Sequence, residues 1–383
     1  MAPSPVPPAH HLGRRARRRT ALAVVAALLA AAGLAGCEPP TLSAQTIVSG
    51  RTDVWEIVFT PTGTMLWTER GGRIMKRTSG GTVTQITADL SGLRVAGETG
   101  LMGLAVDPQF SSNKRIYTCM GWTNGSTSDV RVIPWVFNGA GTALTRQAPI
   151  ISGMPATSGR HGGCRLLFDG ARRLYVGTGD AAVGTNPQDL GSLGGKILRV
   201  NPDTGAGSPE NPFASSGNAN TRRIFSYGHR NVQGLAIRPS NGTFWTAEHG
   251  PDRDDEINRG QGGNFGWNPV PGYNEDVPMT DTAEFPDAVG ARWSSGVPTV
   301  ATAGIAWLDG DQWGSWDEHL VVATLKGERL LLKPETNGQL TLVKTLYQGT
   351  YGRLRAVRLG PDGNLYLGTS NGSGDRIIRI TPS

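Results

Sequence analysis

His161 is the side chain of this sequence best suited to proton transfer. Histidine ordinarily titrates near neutral pH, and the two glycines that follow His161 leave its ring accessible to a small molecule. The sequence therefore makes His161 a candidate general base. The alternative is a histidine whose ring is hydrogen-bonded to neighbouring backbone and only ties strands together.

Four cations form a second candidate group. Arg353 and Arg355 stand two residues apart, so that on a strand both side chains point to the same side. Together with Lys326 and Arg230 they could bind a molecule with several carboxylates, because a guanidinium forms paired, charge-assisted hydrogen bonds with a carboxylate. Any one of them alone could be a solvated surface charge. Their positions beside glycine turns in three different parts of the chain favour a shared site.

The elements that would position these residues are short strands in a repeating pattern. A turn of the type Pro-x-Gly is followed by a strand with a large aromatic residue, then by a glycine and a second apolar strand. Repeats of about 40 to 50 residues with four short strands are typical of propeller blades, and longer intervals indicate inserted loops, here at 201–222 and 269–297. With two weaker copies included, the six equivalent points are Trp67, Tyr117, Tyr175, Trp245, Val321 and Tyr366.

The repeats predict an all-β fold, a six-bladed β-propeller that spans residues 46–383. Residues around Ile47 and Val48 are expected to add a strand to the last blade and close the ring. The chain contains 54 glycines and 25 prolines, which favours many strands joined by turns over long helices. A β-sandwich is the alternative fold, although it would not require six matching units.

The positive charge of the chain is concentrated near its beginning. The formal net charge is +6, and residues 1–36 contain no acid. Without this segment the chain is nearly neutral. Binding to nucleic acid is therefore not expected, because it needs a surplus of cations on the folded domain. The cations of the segment are Arg14, Arg15, Arg17, Arg18 and Arg19.

Residues 1–36 are predicted to be a lipoprotein signal peptide. The arginines precede an uncharged apolar run from Thr20 to Leu34, which is too short to span a bilayer comfortably. The run ends in Leu-Ala-Gly-Cys37, which resembles a bacterial lipobox, so that Cys37 would carry the lipid. Residues 37–45 would then form a tether, and the protein would be extracytoplasmic and attached to the cell membrane by this anchor only. Export by the Sec or the Tat route stays open, and a stop-transfer helix or an accidental cysteine is the alternative.

Two further cysteines, Cys119 and Cys164, lie in predicted strands. Outside the cytoplasm two such residues can form a disulfide. Buried free thiols are the alternative, because cysteine is common in apolar cores.

Four segments carry a resemblance to a known family. In order along the chain they are Tyr-Gly-His-Arg-Asn-Val-Gln-Gly-Leu at 227–235, Glu-His-Gly-Pro at 248–251, Asp-Glu-Ile-Asn at 255–258 and Gly-Asn-Phe-Gly-Trp at 263–267. They resemble the PQQ-dependent soluble sugar dehydrogenases of the glucose/sorbosone dehydrogenase family, and most closely the aldose sugar dehydrogenases. The likeness covers nearly all of residues 46–382. It implies a six-bladed propeller that oxidises a sugar at its anomeric carbon to the lactone and passes electrons to an external acceptor.

The resemblance also implies roles for individual residues. His161 matches the base that takes the proton of the anomeric hydroxyl while hydride passes to the quinone. Arg230 and Asn231 match residues that lie against the quinone, where Arg230 would stabilise developing negative charge. The carbonyl groups of Gly250 and Pro251 match those that hold a Ca²⁺ ion, which would polarise the quinone as a Lewis acid. The remaining positions implied to bind the cofactor are Lys326, Arg353, Arg355 and Thr299.

Three departures from the soluble glucose dehydrogenases leave the substrate open. Arg160 stands where they have an acid before the base, Glu98 where they have glutamine, and Val297 where they have an aromatic residue. Two functions of other classes remain as alternatives. One is a propeller without enzymatic activity that binds a glycan or a protein partner. The other is a Ca²⁺-dependent lactonase, which would need carboxylate ligands converging on the channel.

Overall fold

The computed structural model describes Met1 and residues 38–383, and these residues form strands almost throughout. The all-β class predicted from the sequence is confirmed. The predicted signal peptide and the predicted lipidation site Cys37 lie outside the described residues. No helix in the described part of the chain has the length and apolar character needed to cross a membrane.

The first half of the chain forms three antiparallel groups of strands. A short α-helix, α1 (Phe110–Asn113), precedes β7. The strands are β1 (Leu42–Arg51), β2 (Val54–Phe59), β3 (Met65–Glu69), β4 (Arg73–Arg77), β5 (Val83–Ala88), β6 (Leu101–Val106), β7 (Arg115–Thr123), β8 (Ser128–Phe137), β9 (Ala143–Arg146), β10 (Ile151–Pro155), β11 (Gly163–Phe168), β12 (Leu174–Thr178), β13 (Lys196–Val200) and β14 (Ile224–Tyr227).

The second half of the chain continues the same arrangement. A second short helix, α2 (Ala219–Arg223), precedes β14, and a 3₁₀ helix covers Asp311–Trp316. The strands are β15 (Val232–Ile237), β16 (Phe244–Glu248), β17 (Glu256–Arg259), β18 (Gly263–Asn264), β19 (Trp293–Ser294), β20 (Thr302–Trp307), β21 (His319–Thr324), β22 (Leu330–Thr336), β23 (Gln339–Leu340), β24 (Lys344–Leu346), β25 (Leu354–Leu359), β26 (Leu365–Thr369) and β27 (Asp375–Pro382).

Hydrogen bonding joins these strands into five sheets. Strands β2 to β5 and β6 to β10 share one sheet, because β5 pairs in parallel with β9. Strands β11 to β14 pair in order and are extended by β18, while β15, β16, β17 and β19 form the next sheet. Strands β20 to β24 form the fourth sheet, and β25, β26, β27 and β1 form the last.

The first strand of each antiparallel group lines the centre of the molecule. In chain order β2, β6, β11, β15, β20 and β25 each contact the next, and β25 contacts β2 again. The sheets therefore stand around a common axis, and the residues just before and after their first strands come together at the ends of that axis.

The aromatic residues that mark the sequence repeats lie in the packing between groups of strands. Trp67 and Trp245 are fully buried, and Trp67 packs with Tyr366 of the last group. Tyr175 stacks on Phe244 of the following group, with the ring centroids 4.6 Å apart. Each buried aromatic side chain removes roughly 150–250 Å² from water, so these residues supply much of the contact between neighbouring sheets.

Glycine allows neighbouring first strands to approach each other closely. A Cβ atom on Gly103 of β6 would lie 2.1 Å from the carbonyl oxygen of Cys164 in β11. A Cβ atom on Gly234 of β15 would lie 2.4 Å from the carbonyl oxygen of Ala303 in β20. No side chain fits at either distance, so the spacing of the inner strands depends on glycine at both positions.

A buried ion pair connects first strands that are not neighbours. Glu56 of β2 and Arg165 of β11 form this pair, and both are 3% exposed. Arg165 also donates through Nε to the carbonyl oxygen of Gln233 in β15 at 2.8 Å, and its guanidinium lies 4.3 Å from the ring centroid of Trp55. A single side chain thus connects three first strands across the central axis.

The beginning of the described segment closes the ring. Strand β1 pairs antiparallel with β27, as the sequence analysis expects for the region of Ile47 and Val48. The pairing already starts at Leu42, opposite Pro382. Residues 42–45, which the sequence analysis assigns to the tether, are therefore part of the sheet, because their backbone groups complete the hydrogen bonding of β27.

Cys119 of β7 and Cys164 of β11 are joined by a disulfide, with Cα atoms 5.6 Å apart. Both residues are fully buried in the core between the second and third groups of strands. The bond therefore links two neighbouring groups covalently near the central axis.

Replacing Arg165 with Met is expected to lower the free energy of unfolding by about 3–5 kcal/mol, because the Glu56 carboxylate would stay buried without its partner. Urea unfolding followed by tryptophan fluorescence would measure the loss. The double variant Glu56→Gln/Arg165→Met should recover much of it, since neither charge then remains buried. Wild-type stability of the single variant would show that the pair does not matter to the fold.

Removing the disulfide with Cys119→Ala/Cys164→Ala is expected to lower the free energy of unfolding by about 2–4 kcal/mol, because the unfolded chain gains conformational freedom. The measurement is the urea midpoint with and without a reducing agent. The wild-type midpoint should fall on reduction to near that of the variant, while the variant should not respond. Equal midpoints for the oxidised wild type and the variant would contradict this expectation.

Candidate active site

His161 lies directly before β11 in a strained backbone position. Its φ angle is 55°, in the left-handed region that residues other than glycine rarely adopt. The ring is nearly buried, with 4% of the side chain exposed, and Nδ1 lies 2.7 Å from Oδ1 of Asp180. A carboxylate bonded to one ring nitrogen fixes the orientation of an imidazole and stabilises its protonated form.

Asp180 is itself held by three donors. The backbone N–H of Ala182 donates to Oδ1 at 2.8 Å, and Trp267 Nε1 and the Tyr273 hydroxyl donate to Oδ2 at 2.8 and 2.7 Å. The Tyr273 hydroxyl also lies 3.0 Å from His161 Nδ1. Burial and the Asp180 charge both raise the pKa of Tyr273, so its hydroxyl stays protonated and can donate.

The other ring nitrogen of His161 is the one available for chemistry. Asp180 and Tyr273 occupy the side of Nδ1. In the described part of the chain no group forms a hydrogen bond with His161 Nε2, so this atom can accept a proton from a bound molecule.

Arg230 is fixed beside this pair by both its backbone and its side chain. Its N–H donates to Oε2 of Glu248 at 2.8 Å, and its carbonyl accepts from the N–H of Asp180 at 2.8 Å. The guanidinium donates to the carbonyl of His249 at 3.1 Å and forms an ion pair with Glu275. The Arg230 side chain is 4% exposed, so its charge is held in a largely water-free environment.

His229 has a structural role. Its ring nitrogens are both occupied, Nε2 by the Ser226 hydroxyl at 2.8 Å and Nδ1 by Oε1 of Glu248 at 2.9 Å. Glu248 also accepts from Asn258 at 3.0 Å. These bonds fix the turn that carries Arg230.

Asn231 connects the base to the central axis. Its Oδ1 accepts from the N–H of Gly163 at 3.1 Å and from Nε2 of Gln233 at 3.0 Å, and its Nδ2 donates to Glu98 at 2.9 Å. Burial raises the pKa of Glu98, but electrostatic interactions with His161 and His249 and the hydrogen bond from the Asn231 amide outweigh burial, so the net pKa lies below its ordinary value. Glu98 is therefore an anion that faces two histidines.

The other candidate cations lie close to the same axis. Arg355 of β25 donates to Oε1 of Gln233 at 3.1 Å, while its Nε is buried without a partner. Burial and the charge of neighbouring Arg165 lower the pKa of Arg355 to about 10, so it stays charged at neutral pH. Lys326 donates to the hydroxyl of Thr299 at 3.1 Å, and Arg353 reaches the carbonyl of Leu325 at 3.4 Å. Among the residues that the structure describes, no acid forms an ion pair with Lys326, Arg353 or Arg355.

Asp255 joins the turn of Gly250 and Pro251 to the turn that carries Thr299. Its Oδ1 accepts from the N–H of Gly250 at 3.0 Å, and its Oδ2 accepts from the N–H groups of Val300 and Ala301 at 2.6 and 2.5 Å. The side chain is fully buried, and its carboxylate binds backbone N–H groups.

The carbonyl groups of Gly250 and Pro251 remain available. Over the described residues neither of them accepts a hydrogen bond, and no cluster of three His, Cys, Asp or Glu side chains could hold a metal ion. A cation bound here would therefore take backbone oxygens as ligands, which suits a hard ion such as Ca²⁺.

The sequence analysis missed Asp180, Tyr273 and Glu275. A signal for Asp180 was present, because His161 and Asp180 are 19 residues apart, as are His229 and Glu248. In each pair the acid follows or ends the second strand of its group and bonds to a histidine that precedes the first strand. Tyr273 and Glu275 come from the long connection between β18 and β19, and no local pattern indicates where that connection folds.

The assembled site offers a base and a set of cations. His161 can take a proton, Arg230 can stabilise negative charge next to it, and Lys326, Arg353 and Arg355 can bind carboxylates. Asn231, Gln233 and Asp255 link these groups through hydrogen bonds, so the site is largely formed before any ligand binds.

Comparison with known proteins agrees with this picture. The sequence model of the glucose/sorbosone dehydrogenase family matches residues 52–379. An aldose sugar dehydrogenase of Escherichia coli is 29% identical over 366 residues, which cover 90% of this chain and 94% of that protein. An uncharacterized protein of Synechocystis is 31% identical over 89% of this chain and 87% of its own length.

Solved structures show the same relationship. The crystal structure of the soluble aldose sugar dehydrogenase from Escherichia coli in the apo form has a TM-score of 0.81 at 26% identity and covers 90% of this chain and all of that chain. The PQQ-bound aldose sugar dehydrogenase from Streptomyces coelicolor has a TM-score of 0.74 at 29% identity, again over 90% of this chain and all of its own. The chain belongs to the glucose/sorbosone dehydrogenase family of oxidoreductases.

Proposed function

We propose that the protein is a quinoprotein that oxidises an aldose at its anomeric carbon to the lactone, with PQQ and Ca²⁺ as cofactors. The observation that carries this proposal is the position of His161. Its Nδ1 is fixed by Asp180, its Nε2 is available, and the Arg230 carbonyl accepts from the N–H of the same Asp180, which connects this arginine to the His161–Asp180 pair. Such an arrangement suits removal of a hydroxyl proton while negative charge develops nearby.

The cations fit PQQ, which carries three carboxylates next to an o-quinone. Lys326, Arg353 and Arg355 are not paired with acids in the described part of the chain, and Arg355 Nε is buried without a partner. A partly buried charge such as that of Arg355 is stabilised by a ligand of opposite charge, and the exposed Lys326 and Arg353 can bind the same ligand. Thr299, Arg230 and Asn231 would complete the binding site. When bound, PQQ supplies a quinone that accepts the hydride equivalent. The PQQ-bound Streptomyces relative supports this assignment.

The free carbonyl groups of Gly250 and Pro251 fit Ca²⁺. Carbonyl oxygens are ordinary Ca²⁺ ligands, and the ion would act as a Lewis acid next to the bound quinone. Asp255 would keep the turn in place from behind through its bond to the Gly250 N–H.

The residues of this chain then divide the work of the reaction. His161 Nε2 accepts the proton of the anomeric hydroxyl, and Asp180 stabilises the resulting imidazolium. The hydride leaves the anomeric carbon at the same time, so that the sugar loses two electrons and two hydrogens and becomes the lactone. Arg230 stabilises the negative charge that develops on the acceptor side. The two electrons finally pass to an external acceptor.

The architecture that we propose is a six-bladed β-propeller. It is supported by the circular order of contacts among β2, β6, β11, β15, β20 and β25, each of which begins an antiparallel group. We also propose that the protein acts outside the cytoplasm as a lipoprotein anchored at Cys37, on the support of the arginine-rich segment and the Leu-Ala-Gly-Cys sequence that follows it.

The purified protein without residues 1–36 is expected to bind PQQ in the presence of Ca²⁺ and to reduce a redox dye with one or more aldoses. The variant His161→Ala should bind PQQ normally, followed by its absorbance, but lose turnover by a factor of about 10² or more, because the base is absent. Absence of both PQQ binding and turnover in the wild type would favour a binding protein, as would glycan binding alone. Hydrolysis of lactones without PQQ would favour a lactonase.

Asp180→Asn is expected to lower kcat by a factor of about 10² or more, with little change in PQQ affinity, because an amide neither orients the imidazole correctly nor stabilises its charge. The double variant His161→Ala/Asp180→Asn should lose little beyond His161→Ala alone, since Asp180 acts through His161. Asp203→Asn serves as a control, because Asp203 pairs with Arg172 away from the site. Additive losses in the double variant would contradict the positioning role.

A further inference from the structure

Glu275 is the one acid in the described part of the chain that forms ion pairs with two arginines of the candidate site. Both of its carboxylate oxygens lie 2.7 Å from Nη2 of Arg160, and Oε1 also pairs with Nη2 of Arg230. Arg160 directly precedes His161 in the sequence, and the carbonyl of Arg230 accepts from the N–H of Asp180, the partner of His161. The Glu275 carboxylate therefore joins two arginines that are each connected to His161.

Glu275 and Tyr273 reach the site from the same turn. The Arg160 guanidinium lies 5.4 Å from the ring centroid of Tyr273, and the Tyr273 hydroxyl contacts His161. His161, Tyr273, Arg160 and Glu275 thus form one continuous cluster of contacts. Because Tyr273 and Glu275 are two residues apart on one connection, a change in this connection affects both the contact of Tyr273 with His161 and that of Glu275 with Arg160.

The connection is anchored on both sides of these two residues. A Cβ atom on Gly184 would lie 2.1 Å from the carbonyl oxygen of Gly272, so the backbone packs tightly before Tyr273. Asn274 N–H donates to the carbonyl of Pro269 at 2.9 Å, and Arg253 donates to the carbonyl of Asp276 at 2.5 Å. Glu275 is therefore held in position before a ligand arrives.

The exposure of these side chains changes stepwise from the inside outward. The His161 and Arg230 side chains are each 4% exposed, that of Glu275 is 33% exposed and that of Arg160 is 43% exposed. Within this group, Glu275 and Arg160 are therefore the side chains most accessible to a molecule in solvent.

The Glu275 carboxylate carries a negative charge at neutral pH. Burial raises the pKa of Glu275, but hydrogen bonds from Arg160 and Arg230 outweigh burial and bring it below its ordinary value, so the carboxylate is ionised at neutral pH. Its oxygens can accept hydrogen bonds from hydroxyl groups, and the Arg160 guanidinium can donate hydrogen bonds to hydroxyl oxygens. A carboxylate on the ligand would instead compete with Glu275 for Arg160 and be repelled by it.

We propose that the Glu275–Arg160 pair determines substrate specificity by binding the hydroxyl groups of neutral aldoses and excluding aldoses that carry a carboxylate. This inference rests on the proposed function, because it assumes that a sugar approaches His161. Because Glu275 already neutralises Arg160, a carboxylate on the sugar gains no partner there, and uncharged sugars are favoured.

The variant Glu275→Gln tests the proposal, because it keeps the shape of the side chain and removes its charge. With glucose and glucuronate as substrates of the PQQ-loaded protein, the ratio of kcat/KM for glucuronate to that for glucose should rise at least tenfold. The KM for glucose should rise severalfold. Comparing two substrates in one variant cancels any effect of the released Arg230 on the cofactor.

Three further variants sharpen the test. Glu275→Gln/Arg160→Met should lose the gain for glucuronate, because the arginine that binds its carboxylate is absent. Glu275→Asp keeps the charge and should keep the exclusion of glucuronate, which also covers the case in which Glu275→Gln does not fold. Glu318→Gln is the matched control, since Glu318 pairs with Arg238 outside the site and is similarly exposed, and its ratio should equal that of the wild type.

A second readout does not depend on turnover. Titration calorimetry of the cofactor-free protein should show tighter glucuronate binding to Glu275→Gln than to the wild type, and no such gain in the variant that also lacks Arg160. An unchanged substrate ratio in an active Glu275→Gln protein would overturn the proposal and leave the dehydrogenase function intact. Absence of turnover in the wild type would contradict the dehydrogenase function, while equal glucuronate binding in the two proteins would overturn the charge argument itself.

Discussion

The buried ion pair of Glu56 and Arg165 is the interaction on which the site depends most directly. It spans the central axis, where the inner strands approach so closely that polar side chains have little access to water. Arg165 also bonds to the backbone of Gln233, whose side chain bonds to Asn231 and Arg355. The hydrogen-bond network across the central axis therefore continues into the side chains that could bind a cofactor. A substitution that changes the packing of the inner strands is expected to change the positions of these side chains as well.

Much of the fold could be predicted because it repeats. A buried aromatic residue such as Trp67 or Trp245 recurs at the equivalent point of five of the six groups, and turns with glycine mark the ends of the strands. His161 and Arg230 could be identified from their residue types and their glycine-rich surroundings. Glu275 could not, because its partners lie 115 and 45 residues away and the contact depends on how a long connection folds back.

The two pairs of histidine and acid show how one local arrangement serves two purposes. His229 and Glu248 are enclosed, and Ser226 occupies the second ring nitrogen, so the pair only supports a turn. His161 and Asp180 have the same separation in sequence, but the second nitrogen of that imidazole has no partner among the described residues. The two histidines thus differ in whether a further group occupies the second ring nitrogen, and sequence spacing alone does not reveal this difference.

The closing pairing of β1 with β27 makes the ends of the described segment neighbours in space. Thr41 and Ser383 exchange two backbone hydrogen bonds of 2.9 Å, so a short peptide linker could join them. The order of the strands around the axis is then independent of where the chain is opened. A circular permutant with its new termini in an exposed turn far from His161 would preserve every strand pairing, and the molecule offers several places at which another protein could be inserted without disturbing the site.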